Sequence, residues 1–462
     1  MALLAGCATG DLPPEPKRET PAAFRNAPAG AELPRPPAEW WREFGSEELN
    51  RLEETALANN RDHRIAIARV AQAQSQAGLA AAGRWPNVDA IVRREGYAPA
   101  GGPGSVVEGG EYKPANRIRV GFRASYEADL WGKLGYAADS ALALADASEF
   151  HRQTVALTLT SDLAGAYFEY LSFAARAAVA EQGAHSRRRS LAALEQRMAK
   201  GDATSVEVAQ LRVNLHVAEA AAAQFEQRRE RAFNRVALLA GMGPADLKLA
   251  PAVLARIEAP PVSTGLPSEL LCRRPDVRRA EAQLRAADFD VRALRANLLP
   301  SFSLITETGI GAQQLALLTG PNAFFYLLSA TFAQTVFDGG RKKYQLENAR
   351  AKHLEMLEQY AGALLTAVRE VEDALAARRL TADQHAARLA QVSAARANFE
   401  LNRRIYEAGA ADRLALLDAE QRLFAAEELS EEALHDRMQA AIDLYKALGG
   451  GSRSEGRDPC AP

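Results

Sequence analysis

The chain repeats itself once, and the two copies limit the folds open to it. NNRDHRIAIARVAQAQ followed by GRWPNVDA returns as RRPDVRRAEAQLRAAD followed by NLLPSFSL: Asp62, Arg64, Ala66 and Pro86 recur as Asp276, Arg278, Ala280 and Pro300, 214 residues on. ASYEADLWG returns as ATFAQTVFD, with Ala124, Tyr126, Leu130 and Trp131 answered by Ala330, Phe332, Val336 and Phe337 at a separation of 206. KGDATSVEV returns in EAGAADRLAL, where Gly201, Val206, Leu215, Ala218 and Glu219 precede Gly409, Leu414, Leu423, Ala426 and Glu427 by 208. Self-similarity that preserves the order of segments marks a repeated supersecondary unit. Here the unit reads as helix, β-hairpin, long helix, turn, helix.

Within each copy the hydrophobic period changes from helical to two and back. In RIRVGFRASYEADLWGK, Ile118, Val120, Phe122, Ala124, Tyr126, Ala128 and Leu130 fall on one side of an extended chain. Arg117, Arg119, Gly121, Arg123, Ser125, Glu127 and Asp129 fall on the other. Phe302, Leu304, Thr306 and Thr308 alternate likewise, as do Phe324, Tyr326, Leu328, Ala330 and Phe332. Two hairpins, about 86–130 and 300–337, therefore supply four strands, joined by the glycine- and proline-bearing loops YAPAGGPGSVVEGGEYKPAN and GAQQLALLTGPN. Residues 137–200 and 341–407 lack proline and carry helical stripes such as Leu159, Leu163, Tyr167 and Leu171. At about 1.5 Å per residue such helices reach roughly 100 Å. They end at Gly201 and Gly409, where a left-handed cap is expected. Thr204 with Glu207 fits a capping box and Asp412 an N-cap at the restarts, so each copy closes as an antiparallel helical hairpin.

Composition removes several classes. With 48% apolar and 25% charged residues the chain builds a core, and a net charge of −2 offers no footprint for nucleic acid. Cys7, Cys272 and Cys460 stand too far apart for a metal or redox spacing. The seven histidines sit singly on helical stretches without HExxH, GIGAQQ misses the dinucleotide fingerprint, and no GxSxG occurs. No catalytic group, metal site or cofactor is implied. No run of about 18 uncharged apolar residues exists, so no helix spans a bilayer. The strands then carry the question. A two-faced strand is ordinarily one layer of a soluble sheet, yet these helices are too long to fold back as its lid, and strands of ten or more residues suit a membrane barrel. Hydrocarbon tolerates no open sheet edge, and barrels begin at about eight strands. Four strands per chain demand that copies share one wall, with Arg117, Arg119 and Arg123, beside Glu127 and Asp129, on the watery side.

WWREFGSEELNRLEETALANN near residue 40, SYEADLWGK at 125, LPSELLCRRPDVRRAEAQL at 266, NLLPSFSL at 297, QTVFDGGR at 334 and YEAGAADRLALLDAEQRL at 406 together resemble the TolC-like outer membrane factors. The resemblance runs from about residue 38 to 448, and within the family it points to the NodT-type lipoproteins of resistance-nodulation-division efflux pumps. It implies a mixed α and β membrane protein, whose tandem-repeat protomers form a trimeric 12-stranded β-barrel continued by a periplasmic α-helical barrel. It implies an exit duct without enzymatic activity, working as a homotrimer with a periplasmic adaptor and an inner-membrane transporter. Cys7, in LAGC, is then the lipid-bearing residue, and the proline-rich 8–38 is a tether to the outer membrane lipid. Repeat 1 spans 39–243, a connector 244–274, repeat 2 275–448 and a tail 449–462.

The tips KGDATS (Gly201, Asp202, Thr204) and EAGAADR (Gly409, Asp412) are the expected adaptor contacts. From spacing alone Leu414 is core packing and Asp418 a solvated charge. The resemblance assigns these two, four residues apart in LALLDAEQ, to the apolar and acidic rings of the family's gate. A protein-secretion duct of the same fold and a lipid-anchored coiled-coil scaffold are the alternative functions.

Overall fold

The structure is a computed structural model that describes residues 24–26, 37–97, 115–261, 273–312, 314–408, 410 and 413–450. The first copy contains α1 (Glu47–Asn59), α2 (Arg61–Ala82), β1 (Asn87–Tyr97), β2 (Ala115–Ala128), α3 (Lys133–Ala199) and α4 (Ser205–Leu239). The second contains α5 (Pro275–Ala296), β3 (Ser301–Ala312), β4 (Phe324–Ala333), α6 (Arg341–Glu407) and α7 (Arg413–Ala447). Both long helices have 67 residues and both return helices 35. No described helix is long and apolar enough to cross a membrane.

Packing divides the chain into two compact units, each holding matching pieces of both copies. The first comprises Val70–Ala147 and Ala280–Gln359. Its four strands form one antiparallel sheet in the order β1-β2-β3-β4. Equivalent caps begin the long helices here. The Asp129 carboxylate accepts from the backbone N–H groups of Leu134 (3.1 Å) and Gly135 (2.7 Å), and Asp338 from those of Gly340 (2.9 Å) and Lys342 (3.1 Å). Each carboxylate meets the positive end of its helix. Asp129 thus does structural work at the end of its strand.

The second unit comprises the described parts of Lys17–Arg69, Ser148–Arg279 and Tyr360–Pro462. Its core is aromatic at one end. The 3-10 turn Trp40–Phe44 places Trp40 against Tyr445 (5.1 Å between ring centroids) and Phe44 against Phe168 (5.2 Å), which is where the WWREF sequence is buried. The duplication shows again where return helices end. Asn60 Nδ2 donates to the Leu239 carbonyl (3.0 Å), and 214 residues later Arg274 Nη1 donates to that of Ala447 (2.8 Å). Both satisfy carbonyls that a helix C-terminus leaves without partners.

The two copies differ at this joint. Asn60 also caps α2, its Oδ1 accepting from the Asp62 and His63 N–H groups. Arg274 is a buried guanidinium held by Asp276 (2.7 Å) and Glu370 (2.6 Å). Burial lowers its pKa, but the two carboxylates reverse this and leave it raised. The RRPD sequence therefore ties α5 to α6 and α7 through one side chain.

Glu53 on α1 is fully buried with Leu49, Leu52 and Ala56, and among the described residues neither carboxylate oxygen has a hydrogen-bond partner. Burial pushes its pKa well above the usual carboxylate range.

Two outcomes follow for stability. Arg274→Ala leaves a helix-end carbonyl and Asp276 without their guanidinium donor and Glu370, itself part-exposed, with Arg369 alone (3.8 Å), so it should cost about 1.5–3 kcal/mol, whereas removing the exposed Arg42, paired with Glu39 and Glu54, should cost within about 1 kcal/mol. Denaturant melts of the solubilised variants compare the two. A carboxyl whose folded pKa lies above its unfolded one loses stability as pH rises through the folded value. Glu53→Gln should therefore melt above the wild type at pH 8, with the difference shrinking towards pH 5. Parallel melting curves at both pH values would contradict this.

Candidate functional site

The sheet of the first unit has one face of each kind. Val88, Val92, Phe122, Tyr126, Leu304, Phe324, Tyr326, Leu328 and Phe332 share a side by register and alternation. Among the described residues much of it is uncovered: Val92 is 81% exposed, Tyr326 78% and Leu328 69%. Burying such side chains is worth about 1.5–3 kcal/mol each, so the face is made to be covered by something apolar. Strand lengths of 11, 14, 12 and 10 residues match or exceed the roughly 9–11 needed to cross hydrocarbon. Among the described residues β1 and β4 each pair on one side only, leaving two open edges.

Arg117, Arg119 and Arg123 occupy the opposite face, facing Glu95, Arg93 and Asp89 across the β1 register. Arg119 and Arg123 belong to an electrostatic ladder. Arg119 approaches Glu95 (3.8 Å) and Glu307 (3.9 Å) and lies 5.3 Å from the Phe325 ring centroid, while Arg123 reaches Glu307 at 3.7 Å. Glu307 is 6% exposed, so two arginines share one shielded carboxylate. Its signal in the sequence is simple: it is the one charged residue of β3 and β4. Between the arginines, Gly121 faces Gly309. A Cβ on Gly121 would stand 2.2 Å from the Thr308 carbonyl oxygen, and one on Gly309 2.2 Å from that of Val120, so β2 and β3 approach closely only because both side chains are absent.

The helical tips lie in the second unit. Gly201 has φ of +84°, the left-handed conformation that ends a helix, and the Asp202 N–H reaches back to the Arg197 carbonyl (3.0 Å). Thr204 and Glu207 complete the capping box, and the Thr204 N–H and hydroxyl hold the Glu207 carboxyl below the usual carboxylate range. At the other turn the Ala410 N–H reaches the Ile405 carbonyl (3.0 Å), the same bond 208 residues later. Gly409 and Asp412 lie outside the described residues, as does Cys7. Leu414 lies in the first turn of α7, its side chain outside the description. Asp418 is exposed and ion-paired one turn on with Arg422 at 2.8 Å, a partner that spacing to the glycine did not suggest.

Ion pairs at matching places clasp each hairpin: Arg188 with Glu219 (2.6 Å) and Arg396 with Glu427 (2.7 Å), again 208 apart. A further set joins α7 to α3. Arg413 donates to the Ser190 carbonyl (3.0 Å), Ser186 to the buried Glu420, and Arg176 to Glu428 (3.0 Å), while Leu417 packs on Leu194, Val208 and Leu211. Hydrophobic periodicity alone does not disclose these cross-repeat contacts.

The family model described as outer membrane efflux protein matches residues 52–242 and 266–450. The pyoverdine export outer membrane protein OpmQ of Pseudomonas putida is 34% identical over 98% of this chain and 96% of its own length. The outer membrane protein OprJ of Pseudomonas aeruginosa is 31% identical over 97% and 95%. Among solved structures, the outer-membrane channel OprN superposes with a TM-score of 0.86 at 28% identity, covering 96% of this chain and 99% of that one. The open state of the Neisseria gonorrhoeae MtrE outer membrane channel superposes at 0.84 with 26% identity, covering 95% and 97%. The fold class expected above is the fold of these channels. With its exposed apolar sheet, its unpaired edges and its duplicated hairpins, this chain belongs to the outer membrane efflux protein family and is an outer membrane channel through which an efflux system discharges.

Proposed function

We propose that three copies join β4 of each to β1 of the next, closing a 12-stranded barrel that serves as the passive outlet of a tripartite pump. The supporting observation is the sheet itself: an exposed apolar face bounded by two unpaired edges. Each unpaired backbone group costs several kcal/mol in hydrocarbon, and lateral closure with identical copies removes all of them. Arg117, Arg119 and Arg123 then line the water-filled lumen with Glu307. Cys7 carries lipid, residues 8–38 tether it to the body, and the protein has no catalytic step of its own. Energy enters from an inner-membrane transporter through a periplasmic adaptor that docks on the tips around Gly201, Asp202, Thr204, Gly409 and Asp412.

The gate in this reading is formed by Leu414 and Asp418 from three copies. Three acidic side chains brought to one axis favour cations and repel anions, and each carries its Arg422 as counter-charge. The ties from α7 to α3 through Arg413, Glu420 and Arg176 hold the second hairpin inward. Adaptor binding that prefers the outward position shifts the balance by its differential affinity and by no more.

Solubilised in detergent the protein should run as a trimer, and in planar bilayers it should conduct ions, with Asp418→Ala raising conductance and moving the reversal potential towards anions. A monomer that extracts without strong detergent and passes no current would instead mark a coiled-coil scaffold. Gly309→Val, which drives a side chain into the β2 backbone, should abolish the heat-resistant trimer band on a gel, while a valine at the exposed, loosely surrounded Gly362 leaves it intact.

A further inference from the structure

The connector between the copies contributes to a cavity that the duct reading leaves without a role. Where it passes through the 3-10 turn Leu254–Arg256, it lies over α6 and α7 and bounds with them a space of about 500 Å3. Ile257, Leu389, Leu434 and Met438 supply its apolar walls. His385 and Arg437 supply its polar end, and all of these residues lie within the second unit. The volume falls in the range of small-molecule sites, roughly 300–1,000 Å3.

The polar end is rich in donors. Arg437 Nη1 lies 3.5 Å from His385 Nδ1. Burial, then the charge of Arg437, hold His385 below its ordinary pKa, which favours the neutral ring; with the Arg437 guanidinium as the donor beside Nδ1, the tautomer that fits carries its proton on Nε2. Among the described residues no ion pair joins Arg437 to a carboxylate, and its charge also reaches Arg378, whose pKa is lowered first by burial. Two carboxyls share the rim. Glu258 is exposed on the connector, and Glu431 is pushed up, chiefly by burial and further by Glu427, which favours its neutral form. A guanidinium beside a neutral imidazole donor, set against hydrocarbon walls, lacks one chemical complement: a planar anion on an apolar stem.

We infer that this cavity binds a small organic carboxylate with an apolar body, its carboxylate on Arg437 and the His385 Nε2–H and its body against Ile257, Leu389, Leu434 and Met438. The inference goes beyond the duct reading and stands on the cavity alone. Isothermal titration of the full-length protein in lipid nanodiscs tests it, with phenylpropionate as the probe and phenylpropylamine and phenylalanine as its cationic and zwitterionic matches. Expected is saturable binding of phenylpropionate, one per protomer, weakened roughly tenfold or more by Arg437→Gln and lost in Leu389→Trp, which fills the cavity and leaves Arg437 in place. Circular dichroism melting confirms that each variant is folded; should Arg437→Gln unfold, Leu389→Trp decides. Equal binding of the amine or the zwitterion, unchanged binding in Leu389→Trp, or a signal that rises without saturation would each overturn the site. Ion conduction by the same preparation reports on the duct separately.

Discussion

Hydrocarbon offers no hydrogen bonds, and the rest of this structure depends on that fact. Among the described residues β1 and β4 each leave a row of backbone N–H and C=O groups unpaired, and Tyr326, Leu328 and Val92 belong to an apolar face that is largely uncovered. A sheet of this kind is stable neither in water, which penalises the face, nor singly in lipid, which penalises the edges. Pairing edge to edge with further copies meets both demands at once. The charges on the other face then need water, and four of them offset one another: Glu95, Arg119, Glu307 and Arg123 alternate in sign across three strands. The facing glycines at 121 and 309 draw the backbones together between the two arginines.

Duplication economises on solutions. The same devices recur near the same offset: an aspartate that caps a long helix at 129 and 338, a left-handed glycine followed by a tyrosine at 132 with 136 and at 340 with 344, and an arginine-to-glutamate clasp across each hairpin. Where the copies diverge, the divergence concentrates charge in the second. Asn60 meets a helix end as a neutral amide, but Arg274 does so as a cation that also recruits Asp276 and Glu370. A buried cation of this kind stabilises only while both partners remain. The second copy is thus pinned through α5, α6 and α7 together, and the links of α7 to α3 lie farther along the same helix.

Much of the architecture was legible because it is local. Alternation in RIRVGFRASYEADLWGK, helical stripes without proline, and Gly201 followed by Thr204 and Glu207 each act within a few residues, and each forms the element that its pattern predicts. Pairing of β2 with β3, which joins the two copies, was open in the sequence, since the separations involved leave no periodic trace. Asp129 reads as one more polar residue of its strand, yet its carboxylate meets the N–H groups of α3. Asp418 reads as a solvated charge, and the structure pairs it with Arg422 one helical turn away, an i,i+4 partner that the sequence does display.

The sequence by itself determined the element order, the count of strands and the need for copies, because these follow from the spacing of apolar residues and from how backbone groups behave in lipid. Only the tertiary structure decided that two arginines share the shielded Glu307, that Glu53 is buried without a partner among the described residues, and that Arg437, His385 and the connector line one cavity. Those outcomes depend on side chains brought together from distant parts of the chain, and burial and Coulomb energy are set by the neighbours a fold supplies, which no local pattern contains.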